Sequence, residues 1–82
     1  MPRFYFDVRE EDRVTPDEVG VELESVEAAE REAIRRVTGI GPESLSKDRA
    51  SEAEVQVKDN EGFLRLTVTA FVVARRAVRA LD

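Results

Sequence analysis

The sequence has no cysteine and no histidine among its 82 residues. Without cysteine it can form no disulfide scaffold, no thiolate metal site and no thiol nucleophile. Without histidine it also lacks the commonest catalytic base and the commonest metal ligand. These absences close most routes to catalysis, so we expect a protein that is not an enzyme and that holds no cofactor and no metal.

Long apolar segments are also missing. The longest unbroken apolar run covers five residues, 70–74, whereas a helix needs about 20 residues to cross a bilayer. Near the start of the chain, the apolar residues Phe4 to Phe6 are ended at once by Asp7, although a signal peptide needs an apolar stretch of about 7 to 15. We therefore expect a cytoplasmic protein with no membrane partner and no small-molecule substrate.

Charge is unevenly distributed along the chain. The net charge is −5, but residues 1–62 carry 9 basic against 17 acidic residues, and residues 63–82 carry 4 against 1. Because nucleic-acid affinity comes from clustered cations, the acidic bulk argues against nucleic acid as a partner. Only Arg75, Arg76 and Arg79 offer a nucleic-acid contact, and the alternative for them is a solvated face or a surface for an acidic neighbour.

Two segments near the start have the alternation of strands. Phe4, Phe6 and Val8 fall on one side of residues 3–9, which is typical of a half-buried strand. A second strand over residues 14–23 is interrupted by a proline, which strands tolerate only at a sheet edge or at a bulge.

One helix is predicted over residues 26–38. Its apolar residues recur at spacings of three and four, and Ser25 is suited to cap its N-terminus. Gly39 can adopt the left-handed conformation that ends many helices. The following residues, 42–53, are mostly small or charged and are predicted to form a loop.

The clearest hairpin signal follows that loop. Residues 54–58 alternate, residues 59–62 have the turn sequence Asp-Asn-Glu-Gly, and pairing Val57 with Leu64 places apolar side chains on one face. After a long second strand, apolar residues return to helical spacing, which predicts a short amphipathic helix within residues 74–82.

Together these elements predict an α+β fold in a single domain over residues 1–82. Its arrangement is a two-layer ββαββ, with one long helix on one face of an antiparallel sheet of three or four strands, and a short C-terminal helix. The predicted core is apolar throughout and comprises Phe4, Phe6, Val21, Leu23, Val26, Ala29, Ala33, Val37, Val55, Val57, Leu64, Leu66 and Val68.

Large apolar side chains are expected on the sheet face away from the helix. They are Tyr5, Phe63, Phe71 and Val73. Such a collection usually marks an interface, and its cover is either the chain's own tail, through Val78 and Leu81, or a second copy. Because the tail offers only those two large side chains and the run 68–74 is uncharged and strand-forming, we favour a homodimer.

A family resemblance rests on three stretches: MPRFYFDV at residues 1–8, DEVGVEL at 17–23 and VEAAEREA at 26–33. In them the chain resembles a family of short bacterial proteins catalogued as a domain of unknown function. Beyond residue 38 it departs from the family's pattern in the Gly-Ile-Gly-Pro break at 39–42 and in its arginine-bearing tail. The resemblance implies a small, bacterial, cytoplasmic protein and transfers no catalytic or binding residue. The ββαββ order is also similar to small antitoxin-type domains, by fold analogy alone.

The function predicted from these features is a small, non-catalytic protein-binding or self-associating module. The alternative is weak nucleic-acid binding through the arginine-bearing C-terminal segment. Salt distinguishes the two, because phosphate binding weakens steeply as salt rises whereas apolar association does not.

Overall fold

A computed structural model describes residues 1–10, 13–39, 50–73, 75 and 77 of the chain. Within them the fold is α+β, with one antiparallel sheet of five strands and one helix that packs on one of its faces. In chain order the elements are β1 (Arg3–Glu10), β2 (Arg13–Thr15), β3 (Val21–Glu22), α1 (Val26–Thr38), β4 (Ala50–Asp59) and β5 (Leu64–Val73). Spatially the strands run β2-β1-β4-β5, and β3 pairs with β1.

The second predicted strand is in fact two short strands, β2 and β3, that both pair with β1. Val8 of β1 lies opposite Thr15, and Phe4 lies opposite Val21. Four steps along β1 are therefore matched by six steps along its partner, so the partner carries two extra residues between the two pairs. The extra length leaves the ladder at residues 16–20, which include the proline that cannot donate a ladder hydrogen bond.

Helix α1 has the predicted bounds, residues 26–38. The Ser25 hydroxyl accepts the Ala28 N–H at 3.1 Å and caps the first turn. Gly39 ends the helix in a right-handed conformation, with φ at −85°, and donates its N–H to the carbonyls of Arg35 and Arg36. The expected left-handed ending is therefore wrong, because Gly39 itself stays right-handed and its N–H already binds these last carbonyls.

The core lies between α1 and the sheet face that the helix covers. Its buried residues are Phe4, Phe6, Ala29, Ala33, Val37, Ala53, Val55 and Val57. Alanines at two helix positions let the helix backbone approach the sheet closely. Leu64 was expected in the core but is 54% exposed, whereas Ala53, expected in a loop, is buried within β4.

The hairpin between β4 and β5 has a longer connection than its sequence predicts. The Asp59 carboxylate accepts the N–H groups of Glu61 and Phe63 at 2.9 and 3.0 Å, which draws residue 63 into the turn. A register irregularity then follows at Val57 and Lys58. As a result Val57 pairs with Leu66, not with residue 64 as expected. The shift of two residues keeps the apolar side chains of β5 on the core face and leaves residue 64 outside it.

The predicted C-terminal helix, residues 74–82, lies outside the described residues except for Arg75 and Ala77, which are both exposed.

Candidate protein interface

β5 lies at one edge of the sheet. It pairs with β4 on one side, and no segment in the described part of the chain pairs with its other side. The strand is ten residues long, and its last eight, 66–73, contain no charged residue and no proline. Long, uncharged edges are the ones on which another strand readily adds, since their N–H and C=O groups are free to pair. We call residues 66–73 the β5 edge.

The hydrogen bonds of β1 establish which groups of β5 face outward. The Phe6 N–H donates to the Asp17 carboxylate on the outer side of β1, at 3.0 Å, so it points away from β4. Its opposite residue, Val57, must then direct its own backbone groups toward β5, because directly opposite pairs alternate in antiparallel sheets. Leu66, opposite Val57, points back toward β4. By alternation, the outward N–H and C=O groups of the β5 edge belong to residues 67, 69, 71 and 73.

The β5 edge also carries exposed apolar side chains. Phe71 is 65% exposed, Val72 52% and Val73 43%. Leu64, at the other end of the strand, is 54% exposed, and Phe63 in the preceding turn is 64% exposed. An exposed apolar strand with free backbone groups can bind through both its main chain and its side chains.

The four apolar residues predicted on the open face do not form one patch. Tyr5, half-buried in β1, lies opposite Lys58, beside the turn that contains Phe63. Phe71 lies opposite Glu52, six positions further along β4 and therefore about 20 Å away. Polar residues lie between these two groups. Within β5, the exposed apolar side chains are divided between its two ends.

The tail residues of the predicted interface and of the nucleic-acid alternative are largely outside the described part of the chain. These are Arg76, Val78, Arg79 and Leu81. Arg75 is described and exposed. Nucleic-acid binding therefore stays a prediction from the sequence.

The opposite edge of the sheet has features that hinder pairing. Its two strands have three and two residues, and residues 16–20 protrude between them. The Asp17 carboxylate accepts the N–H groups of Phe6, Val19 and Gly20, each at 3.0 Å, and so occupies the place of a missing ladder partner. Burial raises the pKa of the Asp17 carboxyl, but these three N–H groups, first that of Gly20, bring it below its ordinary value. Short strands, proline and an inserted carboxylate are the usual protections of an edge.

A shallow cleft of about 300 Å³ lies on the open face, next to this protected edge, and is lined among others by Tyr5, Asp7 and Lys58. Lys58 Nζ lies 3.0 Å from an Asp7 carboxylate oxygen, and the other Asp7 oxygen accepts the Asp17 N–H at 2.9 Å. Burial raises the pKa of Asp7, while the Asp17 N–H and Lys58 lower it to a value below the ordinary one. The charges of the cleft thus hold β1, β4 and residues 16–20 together.

Across residues 1–10, 13–39, 50–73, 75 and 77, no three acidic side chains are placed to hold an ion. In the same residues no helix has the length and apolar character needed to cross a membrane.

Sequence reasoning missed the two features that define this site. One is that no described segment pairs with the outer side of β5. The uncharged run 66–73 is a local signal of this feature, but the strand order that makes β5 an edge strand is not local information. The other is the role of Asp17, whose carboxylate binds backbone N–H groups. The nearby Gly20, with φ at +77°, is the sequence signal of that turn.

Comparison with protein-family models matches residues 3–72 to a family described as Domain of unknown function (DUF6894). Neither the curated proteins nor the solved structures contain a match to the chain.

Proposed function

Because the chain belongs to this family of unknown function, we propose its function from the geometry: it is a non-catalytic protein-binding module that adds a strand of another polypeptide to the β5 edge. The observation that carries the proposal is the uncharged edge of residues 66–73, whose outer side has no partner strand among the described residues. Strand addition obtains affinity from main-chain hydrogen bonds and specificity from alternate side chains.

The contrast between the two sheet edges supports this choice of site. One edge combines short strands, Pro16 and the inserted carboxylate of Asp17. The β5 edge has none of these protections over its eight uncharged residues. In a protein that stays in solution, an edge of this kind needs a cover, and a bound strand provides it.

We also propose that the protein is located in the cytoplasm of a bacterium. The support for this location is the resemblance of the N-terminal stretches to short bacterial proteins and a sequence without cysteine, which suits a reducing compartment. Cell fractionation with an antibody against the chain tests it, and recovery in a periplasmic or membrane fraction would contradict it.

A labelled peptide tests the strand addition. The probe is a fluorescent ten-residue peptide of alternating Thr and Val with a Lys at each end, titrated with the full chain while anisotropy is measured. The variant Thr69→Pro removes one outward N–H from the β5 edge and leaves the β4 ladder intact, because proline is tolerated where the N–H faces away from the sheet. We expect the wild type to bind and this variant to lose at least tenfold in affinity.

The matched control is Val14→Pro. Val14 is in β2 and lies opposite Arg9 of β1. Its N–H also faces outward, but on the protected edge. We expect this variant to bind the peptide as the wild type does. Absence of binding by the wild type, at concentrations where it is monomeric, would overturn the proposal, and so would equal losses in the two proline variants.

A further inference from the structure

We propose that the strand added to the β5 edge is the β5 edge of a second copy of this chain, antiparallel about a two-fold axis at Thr69, so that two sheets join into one. This inference rests on the proposed function and names its partner. In the joined sheet, both helices lie on the same face, since a two-fold axis perpendicular to a sheet preserves its faces.

The backbone groups of the β5 edge fit this axis. Residues 67, 69, 71 and 73 direct their N–H and C=O groups outward, so an antiparallel copy must pair odd-numbered residues with odd-numbered residues. An axis at Thr69 pairs it with itself and pairs Thr67 with Phe71 of the second copy. It thereby uses the uncharged run from 66 to 73 nearly symmetrically.

The side chains of the β5 edge complement one another about the same axis. On the core side, half-buried Leu66 would lie opposite exposed Val72 of the second copy, and Val68 opposite Ala70. On the open side, the Phe71 ring would lie beside a threonine. The apolar side chains at one end of β5 are thus covered by the opposite end of the second copy. This is possible because β5 has apolar residues at both ends.

Charge does not oppose the pairing. Arg65 is the one charged residue in β5, and it lies 3.7 Å from the Asp59 carboxylate of its own turn. With the axis at Thr69, Arg65 falls opposite Val73 of the second copy. The two arginines are then eight residues apart along the strands, about 26 Å, so no like charges meet across the new ladder.

The protected edge explains why assembly would stop at two copies. After the β5 edges have paired, each end of the joined sheet is formed by β2 and β3, with Pro16 and the Asp17 carboxylate between them. A third copy would have to pair with those short strands. The two edges of the chain are therefore suited to a closed dimer and not to an open array.

Engineered cysteines test the axis directly, since the natural chain has none. In Thr69→Cys, the two cysteines of a dimer would lie directly opposite each other, with Cα atoms about 5.5 Å apart, which is within the range of a disulfide. Thr67→Cys is the register control, because its two copies lie four residues apart along the ladder, about 13 Å. Thr15→Cys is the second control, because Thr15 is exposed and lies on the protected edge.

We expect wild-type chain to sediment as a dimer at micromolar concentration and Thr69→Cys to form a disulfide-linked dimer at least tenfold faster than either control. A wild type that stays monomeric at high micromolar concentration would overturn the inference, as would equal linking rates in the three variants. If that monomer still bound the Thr-Val peptide, and Thr69→Pro did not, strand addition would stand and only the second copy would fail. If the monomer bound no peptide, both proposals would fail.

Discussion

The Asp17 carboxylate accepts the backbone N–H of Phe6 at 3.0 Å, across eleven positions of sequence. The Phe6 side chain is buried in the core, 1% exposed, while its N–H faces the edge where β2 and β3 are interrupted. A side chain thus completes a ladder that the backbone leaves open, and one residue both anchors residues 16–20 and closes an edge of the sheet.

We predict that Asp17→Asn lowers the free energy of unfolding by about 1 to 3 kcal/mol. Asparagine keeps one acceptor oxygen and replaces the other with a donor, so at least one N–H among Phe6, Val19 and Gly20 loses its partner. Urea denaturation followed by circular dichroism measures the change. The control is Glu18→Gln at the exposed neighbouring residue, and equal stability losses in the two variants would refute the role given to Asp17.

Two glycines with positive φ offer a matched comparison of strain and space. Gly20 and Gly62 have φ values of +77° and +87°. A Cβ at position 20 would meet side-chain atoms of Arg3 and Tyr5, each at 2.9 Å, whereas a Cβ at position 62 would meet nothing within 4 Å. Both alanine variants bear the cost of the left-handed conformation, about 1 kcal/mol, and Gly20→Ala adds the clash.

We therefore expect Gly20→Ala to be the less stable of the two variants by thermal unfolding. The Arg3 atoms belong to a long side chain, but Arg3 donates to the Val19 carbonyl at 3.0 Å and so has little freedom to move. Equal melting temperatures for the two variants would show that the side chains of Arg3 and Tyr5 move aside at little cost.

Acid should destabilise the fold through its paired carboxylates. Hydrogen bonds from Arg35 and Arg36 lower the pKa of Glu32 from its ordinary value of 4.5 to about 2. A pKa that is lower in the folded state than in the unfolded state gives stability that is present above about pH 4.5 and is lost as the pH falls toward 2. Because Arg35 is largely exposed, solvent screening limits the Glu32 contribution to roughly 0.5 to 1 kcal/mol.

Glu32→Gln should accordingly reduce stability at pH 7 and flatten its dependence on pH between 4.5 and 2. The pKa values of Asp7 and Asp17 are also lowered, so part of the acid sensitivity remains in this variant. Urea midpoints at several pH values provide the measurement. An unchanged midpoint at pH 7 would show that the Glu32 pairs contribute nothing.

Local features were predicted well from the sequence, and the reason is that they depend on neighbouring residues. The bounds of α1 follow from the cap at Ser25 and from apolar residues three and four apart. The interruption of the second strand follows from Pro16. The predicted register of β4 and β5 was wrong by two residues. The hydrogen bond from the Phe63 N–H to the Asp59 carboxylate and the register shift at Val57 and Lys58 depend on three-dimensional geometry.

The site was predicted only in part for the same reason. Residues 68–74 were identified as a run that needs a cover, and the structure places most of this run in an edge strand. The sheet order that makes it an edge comes from pairings between distant parts of the chain, which no local pattern specifies.

The most direct test of strand addition between copies is sedimentation velocity on Thr69→Lys, on Thr69→Glu and on an equimolar mixture of the two. All three samples carry Glu54→Gln, because Glu54 lies opposite Thr69 within the hairpin and would repel a new carboxylate there. Glu54→Gln alone is the reference protein. A two-fold axis at Thr69 sets like charges directly opposite each other in each pure variant and opposite charges in the mixture. We predict that each pure variant dissociates at concentrations where the Glu54→Gln reference is dimeric, and that the mixture recovers the dimer. Pure variants that remain as dimeric as the reference, or a mixture that recovers no dimer, would contradict a two-fold axis at Thr69.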